Sequence, residues 1–142
     1  MTAAVLRAEV SFSALDVSEH AALVGDAAAG AVVTFAGVVR DHDHGRGVVE
    51  LEYSGHPSAT RVLADAAAGV AAGAAGVRAL AVSHRLGVLA VGDVALACAV
   101  AADHRAEAFA ACAELVAEVK RVLPVWKRQV FTDGTTEWVN CP

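Results

Sequence analysis

The 142-residue chain is poor in aromatic side chains: two Trp, one Tyr and four Phe make up 5% of it. That excludes an open platform on which bases stack. It has no surplus of positive charge either. Eleven Lys and Arg against sixteen Asp and Glu leave a formal net charge of -5. A nonspecific nucleic-acid binder is excluded on that ground, whereas a local basic cavity is not. Cys98, Cys112 and Cys141 are odd in number and form no CxxC pair, so no disulfide framework is expected. Cys98 and Cys112 lie in apolar runs and read as core thiols, while Cys141 lies near the terminus within reach of solvent. Charges interrupt the alanine-rich segments, so none reads as a membrane span, and the start of the chain lacks the pattern of a secretory signal. The expected setting is a reducing cytoplasm. HExxH, Walker A, GxSxG and the Rossmann glycine pattern are all missing.

What is present is apolar and small. Hydrophobic residues reach 56%, with alanine prominent. This implies closely packed elements, or an oligomer that supplies further burial. The length fits one domain over residues 1–142, and no repeat or linker divides it. Strands are expected over Val5–Phe12, Ala31–Val39, Val48–Ser54, Val77–His84, Val94–Ala101 and Val125–Phe131, rich in β-branched residues or alternating. In the third, alternation sets Val49, Leu51 and Tyr53 on one face and Glu50 and Glu52 on the other. Asp16 or Ser18 caps a short helix to Val24, and Pro57 opens a second from Ser58 towards Ala75. Asp133-Gly134 marks a turn into a last strand over Thr135–Val139. The order predicts an α+β domain: a mixed sheet covered on one face by helices, and a C-terminal hairpin.

The longest helix is expected from Arg105 to Leu123, capped by Asp103. At 3.6 residues per turn, Phe109, Cys112, Ala113, Val116, Val119 and Leu123 form one apolar sector, with Glu107, Glu114, Glu118 and Arg121 opposite. Lys120 falls inside the apolar sector. A lysine there can snorkel to water, or it can point into a cleft or partner. It opens the segment Lys120-Arg121-Val122-Leu123-Pro124-Val125-Trp126-Lys127-Arg128, which holds four of the eleven basic residues. Pro124 ends the helix there. By composition alone a solvated charged edge explains the segment as well as a site does. As a site, Lys120 acts as nucleophile or base, and Lys127 stabilises an oxyanion or phosphate. Arg40 ends a strand and His104-Arg105 begins a helix, positions suited to an anion; a capping histidine with solvated arginines is the alternative. DHDHGRG (Asp41–Gly47) reads as a mobile loop, because adjacent acids and histidines do not converge as metal ligands. His56 and His84 read as ordinary loop or strand-edge histidines.

Together AVVTFAGVVRDH (31–42), HRLGVLAVGD (84–93), DHRAEAF (103–109) and KRVLPVWKR (120–128) resemble the large, catalytic subunit of molybdopterin synthase over nearly the full chain. The resemblance implies a single α/β hammerhead-like domain. It implies conversion of cyclic pyranopterin monophosphate into molybdopterin, with sulfur supplied by the C-terminal thiocarboxylate of a small ubiquitin-like partner. It also implies a homodimer of large subunits within a heterotetramer, and a step needing no cofactor, no metal and no thiol of this chain. By motif match, Lys120 lies beside the partner's terminal glycine and assists transfer, and Lys127 stabilises substrate or developing charge. Arg40, His104 and Arg105 bind substrate, the last two across the dimer interface. Arg128 binds the partner tail or solvates the strand edge, and Phe35 lines the cavity or belongs to the core. The chain departs from the family at LEYSGHP (51–57), at Ser58-Ala59-Thr60, where a methionine is usual, and in its short tail after Trp138. Two other readings are a noncatalytic module docking a small protein on KRVLPVWKR and a phosphate-ester-binding transferase.

Overall fold

The computed structural model describes residues 2–141, with side chains to Val139. Cys141 is therefore placed only by its backbone, and its exposure lies outside the described side chains. The elements are β1 (Ala4–Ser11), α1 (Val17–Val24), β2 (Ala31–Val38), β3 (His42–Asp43), β4 (Arg46–Gly55), α2 (Ala59–Gly73), β5 (Val77–Arg85), β6 (Gly87–Ala90), β7 (Val94–Ala102), α3 (Arg105–Val122), β8 (Val125–Phe131) and β9 (Thr136–Cys141). They build two sheets. The first runs β1-β5-β7-β2, parallel between β1 and β5 and antiparallel elsewhere. The second is antiparallel in the order β3-β4-β8-β9, with β6 also paired to β4. This is the expected α+β domain with its mixed sheet and C-terminal hairpin.

The first sheet is covered on both faces, not one. Strand β7 reads ALACAVAA after Val94, and its residues from Ala95 onward are buried. A strand apolar at every position belongs inside on both sides. Ala99 and Ala101 of β7, with Ala79 and Ala81 of β5, pack under Val24 of α1. The opposite face carries the larger Leu80, Val82, Cys98 and Val100 against α2 and α3. Small residues let α1 sit close to the sheet. Its His20 accepts a hydrogen bond at Nε2 from Ser83 (2.7 Å) and donates from Nδ1 to the Asp16 carbonyl (2.7 Å). Asp16 is the N-cap, accepting from the Glu19 amide at 3.2 Å.

Two helical expectations shift. Asp103 does not cap α3, because the Arg78 guanidinium holds its carboxylate by two bonds, 2.6 and 3.3 Å. The buried stripe of α3 is Ala108, Ala111, Cys112, Leu115 and Val119. Phe109, expected inside, is 63% exposed. The helix is apolar around more of its circumference than the core can cover, and packing beside α2 selects the Ala108–Leu115 side. Phe109, Ala113 and Val116 instead line a shallow apolar groove of about 470 Å³ with Val33 and Phe35 of β2. Leu115 is fully buried, and Leu115→Ala is expected to cost about 3 kcal/mol.

The second sheet brings two further corrections. A bulge between Val48 and Glu50 shifts the alternation of β4. Val48 and Leu51 are buried as a result, and Val49 turns outward at 52% exposure. The Asp41–Gly47 segment is a tight β3–β4 hairpin rather than an open loop. His44 (φ 50°) and Gly45 (φ 77°) supply its two positive-φ residues.

Candidate active site

Where the two sheets meet the end of α3, a polar cleft of about 290 Å³ opens. Each cation reaches it for a local reason. β2 ends at Val38, and Arg40 follows on the rim. Pro124 has no amide hydrogen, so the helix stops before it. Its carbonyl accepts from the His56 amide at 2.9 Å, which ties the α3–β8 corner to the start of α2. Lys120 therefore sits in the last turn of α3, facing the cleft. Two residues per strand repeat then turn Val125, Lys127, Gln129 and Phe131 inward. Lys127 stands opposite Tyr53 and Gln129 opposite Leu51 across the β4–β8 ladder.

Lys120 and Lys127 of that segment thus line one cleft, and Arg40, grouped in the sequence with His104 and Arg105, lies with them instead. Arg128 does not join them. It points to the other side of β8, where its Nε donates to Glu52 at 3.3 Å. His104 and Arg105 are exposed at the start of α3. Fifteen residues separate Arg105 from Lys120 at the cleft, a rise of roughly 22 Å. Phe35 is half-buried against the core and lines the apolar groove.

Four residues of the cleft escape a reading based on charge clusters. Asp43 accepts from the Gln129 amide at 2.8 Å and faces Arg40 at 3.5 Å. The Gln129 bond, with His44, Lys127 and Arg40 around it, holds the Asp43 carboxyl below its ordinary value. It is an ionised acceptor among donors. Tyr53 meets His84 edge-to-face, with ring centroids 4.9 Å apart. Burial drives the His84 pKa down to about 4, and Lys120 adds to the fall, against the raising effect of the bond to the Arg85 carbonyl. Alternation was the available signal: Gln129 lies two residues beyond Lys127, and His84 two beyond Val82 on the inner face of β5.

The thiols stand apart from this chemistry. Cys98 and Cys112 are buried, and desolvation raises both above the ordinary thiol value, which disfavours the reactive thiolate. Among the described residues, no group of three or more His, Cys, Asp or Glu is placed to hold a metal ion. Among them also, no helix is long and apolar enough to cross a membrane. What the arrangement can do is bind an anion and stabilise negative charge developing beside it.

Fold and cleft together define an α+β protein whose mixed sheet and antiparallel sheet meet at a cleft lined by three cationic side chains. Residues 10–122 match the family model described as MoaE protein. A molybdopterin synthase catalytic subunit of Nostoc sp. is 38% identical over 132 residues, covering 92% of this chain and 80% of that one. One from Oryza sativa subsp. indica is 42% identical over 120 residues; the alignment covers 84% of this chain and 62% of the rice protein. Among solved structures, the molybdopterin synthase from Staphylococcus aureus superposes with a TM-score of 0.85 at 27% identity, covering 93% of this chain and 96% of that one. The chain belongs to the MoaE family.

Proposed function

We propose that this chain transfers sulfur from the C-terminal thiocarboxylate of a small ubiquitin-like partner to cyclic pyranopterin monophosphate, forming the dithiolene of molybdopterin. The observation that carries the reading is the convergence of Arg40, Lys120 and Lys127 on one cleft in a chain of this family. A phosphate ester and a thiocarboxylate are both anions, and clustered cations suit them. Lys120 engages the acyl carbonyl of the partner's tail. Lys127 stabilises the negative charge that develops on transfer, and Arg40 takes the phosphate. Arg128, on the outer side of the strand, meets the partner outside the cleft.

His104 and Arg105 act from a second copy. Strand β2 is a sheet edge, antiparallel to β7 with Ala31 opposite Ala102. The start of α3 therefore lies at the end of the sheet where β2 begins, and Arg40 at the other. A twofold axis across β2 and the apolar groove reverses one copy against the other. The His104 and Arg105 of each copy then approach the Arg40 and Lys120 of its mate. The assembly is a homodimer of this chain with one small partner at each outer end, acting in the cytoplasm.

The test is reconstitution with the thiocarboxylated partner and cyclic pyranopterin monophosphate, followed by mass spectrometry of the pterin. Mono- and disulfurated products are expected. Their absence beside a working control of the same family would overturn the reading.

A further inference from the structure

His84 is a buried imidazole facing a cleft full of donors. Its Nδ1 lies 2.8 Å from the Arg85 carbonyl oxygen. A carbonyl only accepts, so Nδ1 carries the proton and Nε2 is the bare nitrogen. The edge of the ring contact with Tyr53 fixes the plane of the imidazole. Tyr53 in turn stands opposite Lys127 in the β4–β8 ladder, and Lys120 is close enough to act on His84 electrostatically. A neutral proton acceptor thus lines the same cleft as the two lysines.

The proposed reaction has a step that needs one. When the thiocarboxylate sulfur bonds to the pterin carbon, the partner is left attached through an acyl–sulfur bond. For the sulfur to stay on the pterin, that bond must break. With water as the co-reactant, a carbon–oxygen bond forms, the carbon–sulfur bond breaks, and the partner departs as a carboxylic acid that releases its remaining proton to solvent to become the carboxylate. We infer that His84 is a catalytic residue for this release: Nε2 takes the proton of the attacking water and returns it to the departing sulfur. No oxidant or reductant is consumed. Lys120, beside the same carbonyl, stabilises the oxyanion formed on the way. Burial keeps the ring unprotonated when water arrives, but it also leaves the empty site's base weaker than an ordinary imidazole, so the ring must gain basicity once the cleft is loaded. An anionic substrate in the cleft offsets the charge of Lys120 and strengthens the base when it is needed.

This inference rests on the sulfur-transfer reading, and the test separates the two. His84→Asn keeps a donor for the Arg85 carbonyl and removes the lone-pair nitrogen. In single turnovers with thiocarboxylated partner and cyclic pyranopterin monophosphate, intact-protein mass spectrometry follows the partner–pterin adduct. The expected result is adduct formation within a few-fold of the unsubstituted chain and release slowed by about 100-fold, so that the adduct accumulates. Added imidazole should restore part of the release rate. Formation and release slowed equally, or neither slowed, would overturn the inference while leaving the sulfur-transfer reading intact. No sulfurated pterin from the unsubstituted chain would sink both. Nitrogen-15 chemical shifts of the unsubstituted chain provide a readout independent of activity and of how the variant folds. They should report Nδ1 protonated and Nε2 bare at pH 7, and the opposite tautomer would also overturn the inference.

Discussion

The two ends of α3 carry the same kind of side chain in opposite surroundings. At its C-terminal end Lys120 faces a walled cleft with Arg40, Lys127, His84 and Asp43 around it. At its N-terminal end His104 and Arg105 stand exposed, and Asp103 just before them is already held by Arg78. Lys120 and Arg121 in the last turn complement the helix dipole; Arg105 in the first turn does not. The difference teaches that one chain gathers only part of the basic residues into its cleft and leaves the rest in solvent, where the proposed dimer would give them a use.

Four measurements can break or sharpen that contrast. The largest effect is expected for Lys120→Ala. Sulfur transfer should fall by about 1000-fold, with the fold retained by circular dichroism, since Lys120 is exposed. Transfer at the unsubstituted rate would remove the cleft from the reaction.

The acid limb of stability should come next. The His84 pKa is depressed to about 4 in the folded chain, against about 6.5 in an unfolded one. Between those values the unfolded chain binds the proton and the folded one does not, so stability rises with pH. It is fully present above pH 6.5 and is lost as pH falls towards 4, by roughly 3 kcal/mol at most. Denaturant unfolding of the original chain and of His84→Asn across that window should differ in slope, and identical slopes would contradict the burial argument.

Arg105→Ala tests the exposed end. Pterin binding should weaken by about 30-fold, read as KM against kcat. Co-refolding Arg105→Ala with Lys120→Ala chains should then recover about a quarter of full activity, because half the dimers hold one intact site of two. No recovery would mean that both residues serve the same copy. The smallest effect belongs to Arg128→Ala. It breaks a partly exposed pair with Glu52, costing less than about 1 kcal/mol, and should weaken partner binding only a few-fold by calorimetry.

Strand and helix placement was largely legible, because β-branched runs, Pro124 and the Asp133-Gly134 turn are local signals. Alternation separates Lys127 from Trp126 and Arg128, and the sheet partner decides which side is inward. Other features depended on tertiary partners. Asp103 was lost as a cap to Arg78, twenty-five residues away in sequence. The bulge at Val48 and the choice of the Ala108–Leu115 stripe depended on what each element packs against. The cleft's cations were visible as clusters, whereas Asp43, Gln129 and His84 were not, since single polar residues on an inner face look like ordinary exceptions until the opposite wall is in place.

Gly30 draws out one last consequence. A Cβ there would stand 2.6 Å from the Asp103 carbonyl oxygen, closer than backbone can tolerate, so the two main chains rest directly on each other just before His104. The contact works as a gauge, setting the offset between the sheet edge and the first turn of α3. A single methyl at Gly30 would act as a wedge and tilt His104 and Arg105. On the proposed dimer, the copy bearing the change would keep its own cleft unaltered, and the deficit would appear in its neighbour.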